Sequence, residues 1–353
     1  MFKRIVRDIL IVFGIAVLGA STSRTFMQYV SEWRDGDKWW CAYPCLHGDL
    51  VSLSYLDFVK KFNPPGPKPH LKRATWAGAK NTVLVLHGDS NTWHVTDSNF
   101  AGVATLYFVN RTNGGYYHLD TAKRNILIIE VGEHYLRSYF EGLQIFDEVR
   151  DTGVIRQKIS FRNAACKSDL MLSSFFSDIH FSDLFNRYIN QNLQCNLFNY
   201  NFIMPMFESK AALNYYLFNR ASGDVIISND RNFLFLKETV TKTDIGSSYS
   251  PVNKDEVARI VATVNTIYDH YKKIGFNEVY FSIIPNSATI MQPEGYNNLI
   301  PLVQNDPQLR MKIIDVYSVF KNSPEVFYQH GDTHWNREGK QLWIDLVNKR
   351  LTN

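Results

Sequence analysis

Three stretches of this chain can bury both faces of a strand. They are Thr82–Gly88 (TVLVLHG), Asn125–Glu133 (NILIIEVGE) and Glu278–Asn286 (EVYFSIIPN). A strand wet on one side alternates apolar and polar residues. A near-continuous apolar run fits a parallel strand covered on both faces by helices. Lys254–Asn277 supplies such a helix. Its apolar residues recur at helical spacing, and Lys272, Lys273 and Gly275 form a stop signal. Lys312–Phe320 (KIIDVYSVF) reads as a fourth strand, and Arg337–Arg350 as the last helix. Strands alternating with helices imply an α/β fold, a parallel sheet between helical layers. Ligands of such sheets bind at the carboxyl ends of the strands. Gly88-Asp89-Ser90 and Val131-Gly132-Glu133 fall at two of those ends.

The remaining segments divide the chain. Lys3, Arg4 and Arg7 precede the uncharged run Ile9–Ser23. As a helix that run is about 22 Å long, short against the roughly 20 residues of a spanning helix. It fits a signal-peptide core, with Gly19 and Ser21 as small residues near a cleavage site. A retained anchor is the favoured reading, because Ile5 and Val6 extend the apolar face and basic side chains can snorkel. Either way the basic end stays in the cytoplasm and the bulk of the chain is exported to the cell envelope. Residues 24–80 read as a polar extension and linker, in which NPPGPKPH at Asn63–His70 blocks both helix and central strand. Residues 81–353 form the main domain. Residues 151–240 break its rhythm and read as a largely helical insertion, ending in a hairpin at Ile227–Glu238. An even number of cysteines in an exported chain argues for disulfides, with Cys41–Cys45 and Cys166–Cys195 as the candidate pairs. A net charge of +4 without a long basic run argues against nucleic acid as a partner.

Ser90 follows a strand, where a serine is ordinarily a helix cap. It becomes a nucleophile only if the chain also supplies a base and an acid to orient that base. Gly331–Gly339 (GDTHWNREG) supplies both. Asp332 and His334 are two residues apart, so an extended or turn segment presents them on one side. Asp89 reads as a structural residue of the turn. His87 and His94 are rival bases, but His87 belongs to the strand and alternates away from the turn. His330, Asp332 and His334 are a weaker metal-ligand alternative; the leading reading needs neither metal nor cofactor.

Gly88-Asp89-Ser90 after the first core strand, with Asp332-Thr333-His334 before the last helix, resembles the SGNH (GDSL-type) hydrolases. The GDTHWNREG form resembles their cell-envelope polysaccharide O-acyltransferase branch, which includes alginate O-acetyltransferases and the D-alanyl transfer protein of teichoic acids. The resemblance implies a three-layer αβα fold with Ser90 as nucleophile, His334 as base and Asp332 as its partner. It also implies a polysaccharide acceptor, and a multi-pass membrane acyl-transport protein as partner. The ordinary hydrolase pattern ends a later strand in Gly-x-Asn-Asp, whose Asn donates to the oxyanion. Here Gly132 is present, but Glu133 and His134 replace Asn-Asp. Asn91, Glu133, His134, Asn286 and Trp335 are the candidate substrate or oxyanion residues. Gly102 or Gly114-Gly115 could supply the second donor, and Glu133 could pair with Arg137 on one helix face. Trp93 and Trp335 read as packing or as stacking residues. An SGNH carbohydrate esterase and a non-catalytic polysaccharide-binding assembly protein are the alternative functions.

Overall fold

The computed structural model describes residues 2–23, 49–62, 71–110, 117–140, 203–221 and 223–352, with single positions at 26, 189, 193 and 197. In chain order its helices are α1 (Phe2–Thr22), α2 (Asp49–Ser54), α3 (Glu133–Phe140), α4 (Met204–Phe218), α5 (Lys254–Ile274), α6 (Ser287–Met291), α7 (Leu299–Gln304), α8 (Tyr317–Asn322) and α9 (Arg337–Thr352). Its strands are β1 (Thr82–Gly88), β2 (Val103–Asn110), β3 (Arg124–Gly132), β4 (Val225–Ile227), β5 (Leu234–Leu236), β6 (Glu278–Ile284) and β7 (Lys312–Ile313). Packing separates two units. One holds α1, Tyr55–Phe58 and α4; the other holds α2 and the sheet with its helices.

In the first unit, α1 is 21 residues long with a mean hydropathy of 1.9 over its most apolar window. It starts before the uncharged run and takes in Lys3, Arg4, Arg7 and Asp8. Its length is therefore about 32 Å, enough for a hydrocarbon core. By length and composition α1 fits a membrane span, and equally a signal sequence. Pro205 sits in the first turn of α4, and Asn219, left-handed at φ 52°, closes it. Within the expected insertion, α4 is helical and β4–β5 is an antiparallel hairpin. Cys41, Cys45, Cys166 and Cys195 lie outside the described residues, as does most of 151–202.

The second unit is α/β. Its five-stranded sheet has the order β2-β1-β3-β6-β7, with every neighbouring pair parallel. Strand alternation sorts the apolar residues to two faces. Val85, Leu127, Ile129, Phe281 and Ile283 pack on Leu136 of α3, Val257 and Val264 of α5 and Leu299 of α7. Leu84, Leu86, Ile126, Ile128 and Ile284 pack on Phe320 of α8 and on Trp343, Ile344 and Val347 of α9. Burying each such side chain is worth about 1.5–3 kcal/mol, so both faces of the central strands stabilise the sheet. Asn253 Oδ1 caps α5 by accepting from Glu256 N at 2.8 Å, and Gly275 at φ 119° ends it.

Two expectations need correction. The fourth strand is only Lys312–Ile313; after three irregular residues, Tyr317–Phe320 belong to α8. Asp315 Oδ1 accepts the Ser318 N–H at 3.0 Å and starts the helix, and the apolar residues after it reach the core at helical spacing. The edge strand β2, which among the described residues pairs only with β1, is not among the predicted strands. Its sequence VATLYFVN is as apolar as that of β1, but at the sheet edge most of its residues are only partly buried.

The chain runs from β1 outward to β2, then crosses back to β3 and on to β6. The connections after β1 and β3 thus leave in opposite directions, which opens a crevice at their carboxyl ends. Ser90 follows β1 there, and Glu133-His134 follow β3.

Candidate active site

The turn after β1 is built around Glu130, a buried acid that follows the apolar run Ile126–Ile129 of β3. Its Oε2 accepts the Asp89 N–H at 3.0 Å and lies 3.2 Å from the Thr92 hydroxyl. A side chain at Gly88 would meet Thr92 Oγ1 at 2.3 Å and Glu130 Oε2 at 2.9 Å, so only glycine lets the chain turn this tightly. Ser90–Thr92 form a single 3-10 turn whose cap is Asp89. Asp89 Oδ1 accepts from Asn91 N at 2.8 Å and Asn91 Nδ2 at 3.0 Å. Asp89 is therefore structural, and it takes the capping role open to Ser90. The Ser90 hydroxyl is left to bond elsewhere.

It meets His334. The distance from His334 Nε2 to Ser90 Oγ is 2.6 Å, and from His334 Nδ1 to Asp332 Oδ1 it is 2.5 Å. Asp332 Oδ1 also accepts the His334 backbone N–H at 2.9 Å, as residues two apart in a tight turn allow. Trp335 is buried and donates from Nε1 to Asn91 O at 2.8 Å, tying this segment to the Ser90 turn. Its ring packs on Phe320 and Trp343, so it is a packing residue. Asn336 Oδ1 accepts from Gly339 N at 2.9 Å and starts α9. From the other side, Val51 N of α2 donates to Gly331 O at 3.1 Å.

Burial disfavours a charged His334 ring. The bond and charge of Asp332, followed by the charges of Asp49 and Asp89, outweigh burial and hold the ring above the ordinary imidazole range. Burial likewise opposes ionisation of Asp332, but the bond and charge of His334 keep its carboxyl below the usual value. A carboxylate, an imidazole ring and a hydroxyl are thus bonded in series. The ring can take the hydroxyl proton while Asp332 stabilises the resulting imidazolium.

A cleft of about 510 Å³ opens at Ser90. Its wall carries Asn91, His134, Tyr135, Asn286 and the half-exposed Trp93, with Leu50, Leu236 and Ile284 as apolar lining. Asn286 Nδ2 donates to Ser248 Oγ at 3.0 Å and Gly246 O at 3.3 Å. Its Oδ1 therefore accepts from His134 Nδ1 at 3.1 Å, which assigns the His134 proton to Nδ1. Glu133 is buried behind this wall and does not line the cleft. Its Oε2 accepts the Asn286 N–H at 2.8 Å and the Thr289 hydroxyl at 2.5 Å. Burial pushes its carboxyl up to about 7 against those bonds. The expected Glu133–Arg137 pair does not form. Arg137 instead makes a buried ion pair with Glu256 of α5, with Nη2–Oε2 at 2.9 Å.

The rivals of His334 lie elsewhere. His87 is buried within β1, and His94 is exposed at φ 66°. His330 stacks on Phe233 at 4.4 Å and does not join Asp332 and His334. Among the described residues the histidine–carboxylate cluster is instead Asp49, Asp332 and His334, and its facing atoms bond one another or Thr333. Gly102 precedes β2 at the opposite end of the parallel strands from Ser90, so it supplies no oxyanion donor. Gly114-Gly115 lie outside the described residues. The sequence reading missed Glu130 and Asp49. A lone acid inside an apolar strand was the available signal for Glu130; Asp49 had none.

No protein-family model, curated protein or solved structure matches this chain.

Proposed function

We propose that this protein is an SGNH-type serine acyl enzyme: an exported O-acyltransferase, most simply an O-acetyltransferase, of a cell-envelope or extracellular polysaccharide. The observation that carries the reading is the continuous bond chain Asp332–His334–Ser90 at the mouth of a cleft. Ser90 Oγ attacks the donor's acyl carbonyl as His334 Nε2 takes its proton. The tetrahedral intermediate collapses, its leaving group takes that proton from His334, and an ester on Ser90 remains. The acceptor hydroxyl then gives its proton to His334, attacks the ester and frees Ser90. The Ser90 N–H, at the open start of its 3-10 turn, serves as one oxyanion donor. Asn91 serves as the second, since one of its two Nδ2 protons goes to Asp89 and the residue borders the cleft beside Ser90. The apolar α1 supports attachment to a membrane, where a multi-pass protein would deliver the acyl donor.

Water in place of a sugar hydroxyl would make the protein an esterase. The test is hydrolysis of p-nitrophenyl acetate by wild type and Ser90→Ala, followed by acetyl transfer to neutral oligosaccharides. Acetyl-Ser90 trapped by mass spectrometry, with transfer exceeding hydrolysis, is the expected result. Equal ester hydrolysis by both proteins would end the Ser90 assignment.

A further inference from the structure

The triad has a neighbour from outside its own segment. Asp49 opens α2, yet no described bond of its carboxylate goes to α2. Asp49 Oδ1 accepts the Thr333 N–H at 2.8 Å, and Asp49 Oδ2 accepts the Thr333 hydroxyl. The Asp49 N–H donates to Asp332 Oδ2 at 3.3 Å, and Asp49 Oδ2 lies 3.8 Å from His334 Nδ1. One residue thus contacts all three members of Asp332-Thr333-His334. We propose that Asp49 is a positioning residue of the catalytic centre, clamping Thr333 so that Asp332 and His334 stay aligned on Ser90 and adding a second negative charge beside the imidazole. The proposal rests on the reading of Ser90 as nucleophile.

The charge is the informative part. An asparagine could accept the Thr333 N–H without bringing two carboxylates together. Here burial and the charge of Asp332 both push the Asp49 carboxyl up. That unfavourable arrangement has a use if the charge supports a positive imidazole during proton transfer. The groups facing His334 are Asp332, Asp49, Asp89 and the hydroxyls of Ser90 and Thr333. The nearby cation Lys340 bonds back to Trp93 O at 3.0 Å and faces Asp89 and Glu130 instead.

The test uses the full chain as wild type, Asp49→Asn, Asp49→Ala and Ser90→Ala, with p-nitrophenyl acetate across pH and NMR titration of the His334 ring. Asp49→Asn is expected to fold normally, keep KM, lower plateau kcat about tenfold and move the acid limb of kcat/KM to lower pH. The His334 titration should move the same way. Asp49→Ala should lose about a further tenfold, because Thr333 loses both bonds. An Asp49→Asn enzyme with unmoved pH midpoint, unmoved His334 titration and kcat within about twofold of wild type would overturn the proposal, leaving Asp49 structural. Ser90→Ala as active as wild type would instead remove the nucleophile reading. The His334 titration would still decide whether Asp49 acts on the imidazole.

Discussion

His334 Nε2 lies 2.6 Å from Ser90 Oγ, although 244 residues of chain separate them. The two ends meet because β1 is a central strand and α9 packs under it. Trp335, the first residue after His334, fastens the junction by its bond to Asn91 O. This relationship sets the first expectation. Ser90→Ala and His334→Ala should each lower kcat for an activated acetyl ester by about 10³-fold or more, with KM nearly unchanged. The double variant should be no worse than either single one, because the residues act as a unit. A Ser90→Ala rate within about tenfold of wild type would assign the nucleophile elsewhere.

The protonation of His334 sets the second. The ring must be neutral to accept the Ser90 proton, and its neighbouring carboxylates hold it above the ordinary imidazole value of about 6.5. Activity should therefore rise with pH along an acid limb whose midpoint lies above that value. Asp332→Asn removes the strongest support for the charged ring, so its midpoint should shift down while kcat falls about 10²–10⁴-fold. A midpoint that stays put in Asp332→Asn would separate Asp332 from the titrating group.

The sheet and the contact of Asp332, His334 and Ser90 were legible for the same reason. β1, β3 and β6 are near-continuous apolar runs, and Asp332 and His334 are only two residues apart, so local pattern carried the information. The short β7 was misread because Val316, Tyr317 and Phe320 are as apolar as a strand. The Asp315–Ser318 bond and helical spacing distinguish them. Asp49 was illegible because its partners are 283 and 284 residues away and nothing in its own segment marks it. Arg137 misled for a related reason: an i to i+4 acid was in view, but the acid that pairs with it stands on α5.

Gly331 provides a third expectation. A side chain there would meet Val51 Cγ2 at 2.3 Å and Phe62 O at 2.6 Å, so α2 packs its Val51 side chain directly on the Gly331 backbone of the Asp332 segment. Gly331→Ala must push the two apart. A loss of about 1–3 kcal/mol in stability is expected from overpacking. Ester hydrolysis should fall further than stability alone explains, because the shifted residues are Asp332 and His334. Melting temperature and kcat measured together check this; a variant that melts low yet keeps full kcat in the cold would contradict it.

Glu133 supplies the last expectation, and it concerns stability rather than rate. Burial raises its carboxyl to about 7, against bonds from Thr289 and Asn286 that favour the charged form. The unfolded chain ionises it near the ordinary glutamate value of about 4.3. A carboxyl raised in the fold binds its proton more tightly when folded. Its contribution is therefore fully present below about pH 4, declines as pH rises through the window to about 7, and is flat above that. Glu133→Gln removes the titration, and the amide oxygen can still accept from Asn286 and Thr289. The variant should gain on wild type as pH rises, by up to roughly 3 kcal/mol between pH 4 and pH 8. Thermal melts of both proteins at pH 5 and pH 8 measure the change. A difference between the two proteins that is the same at both pH values would mean that Glu133 is already ionised in the fold.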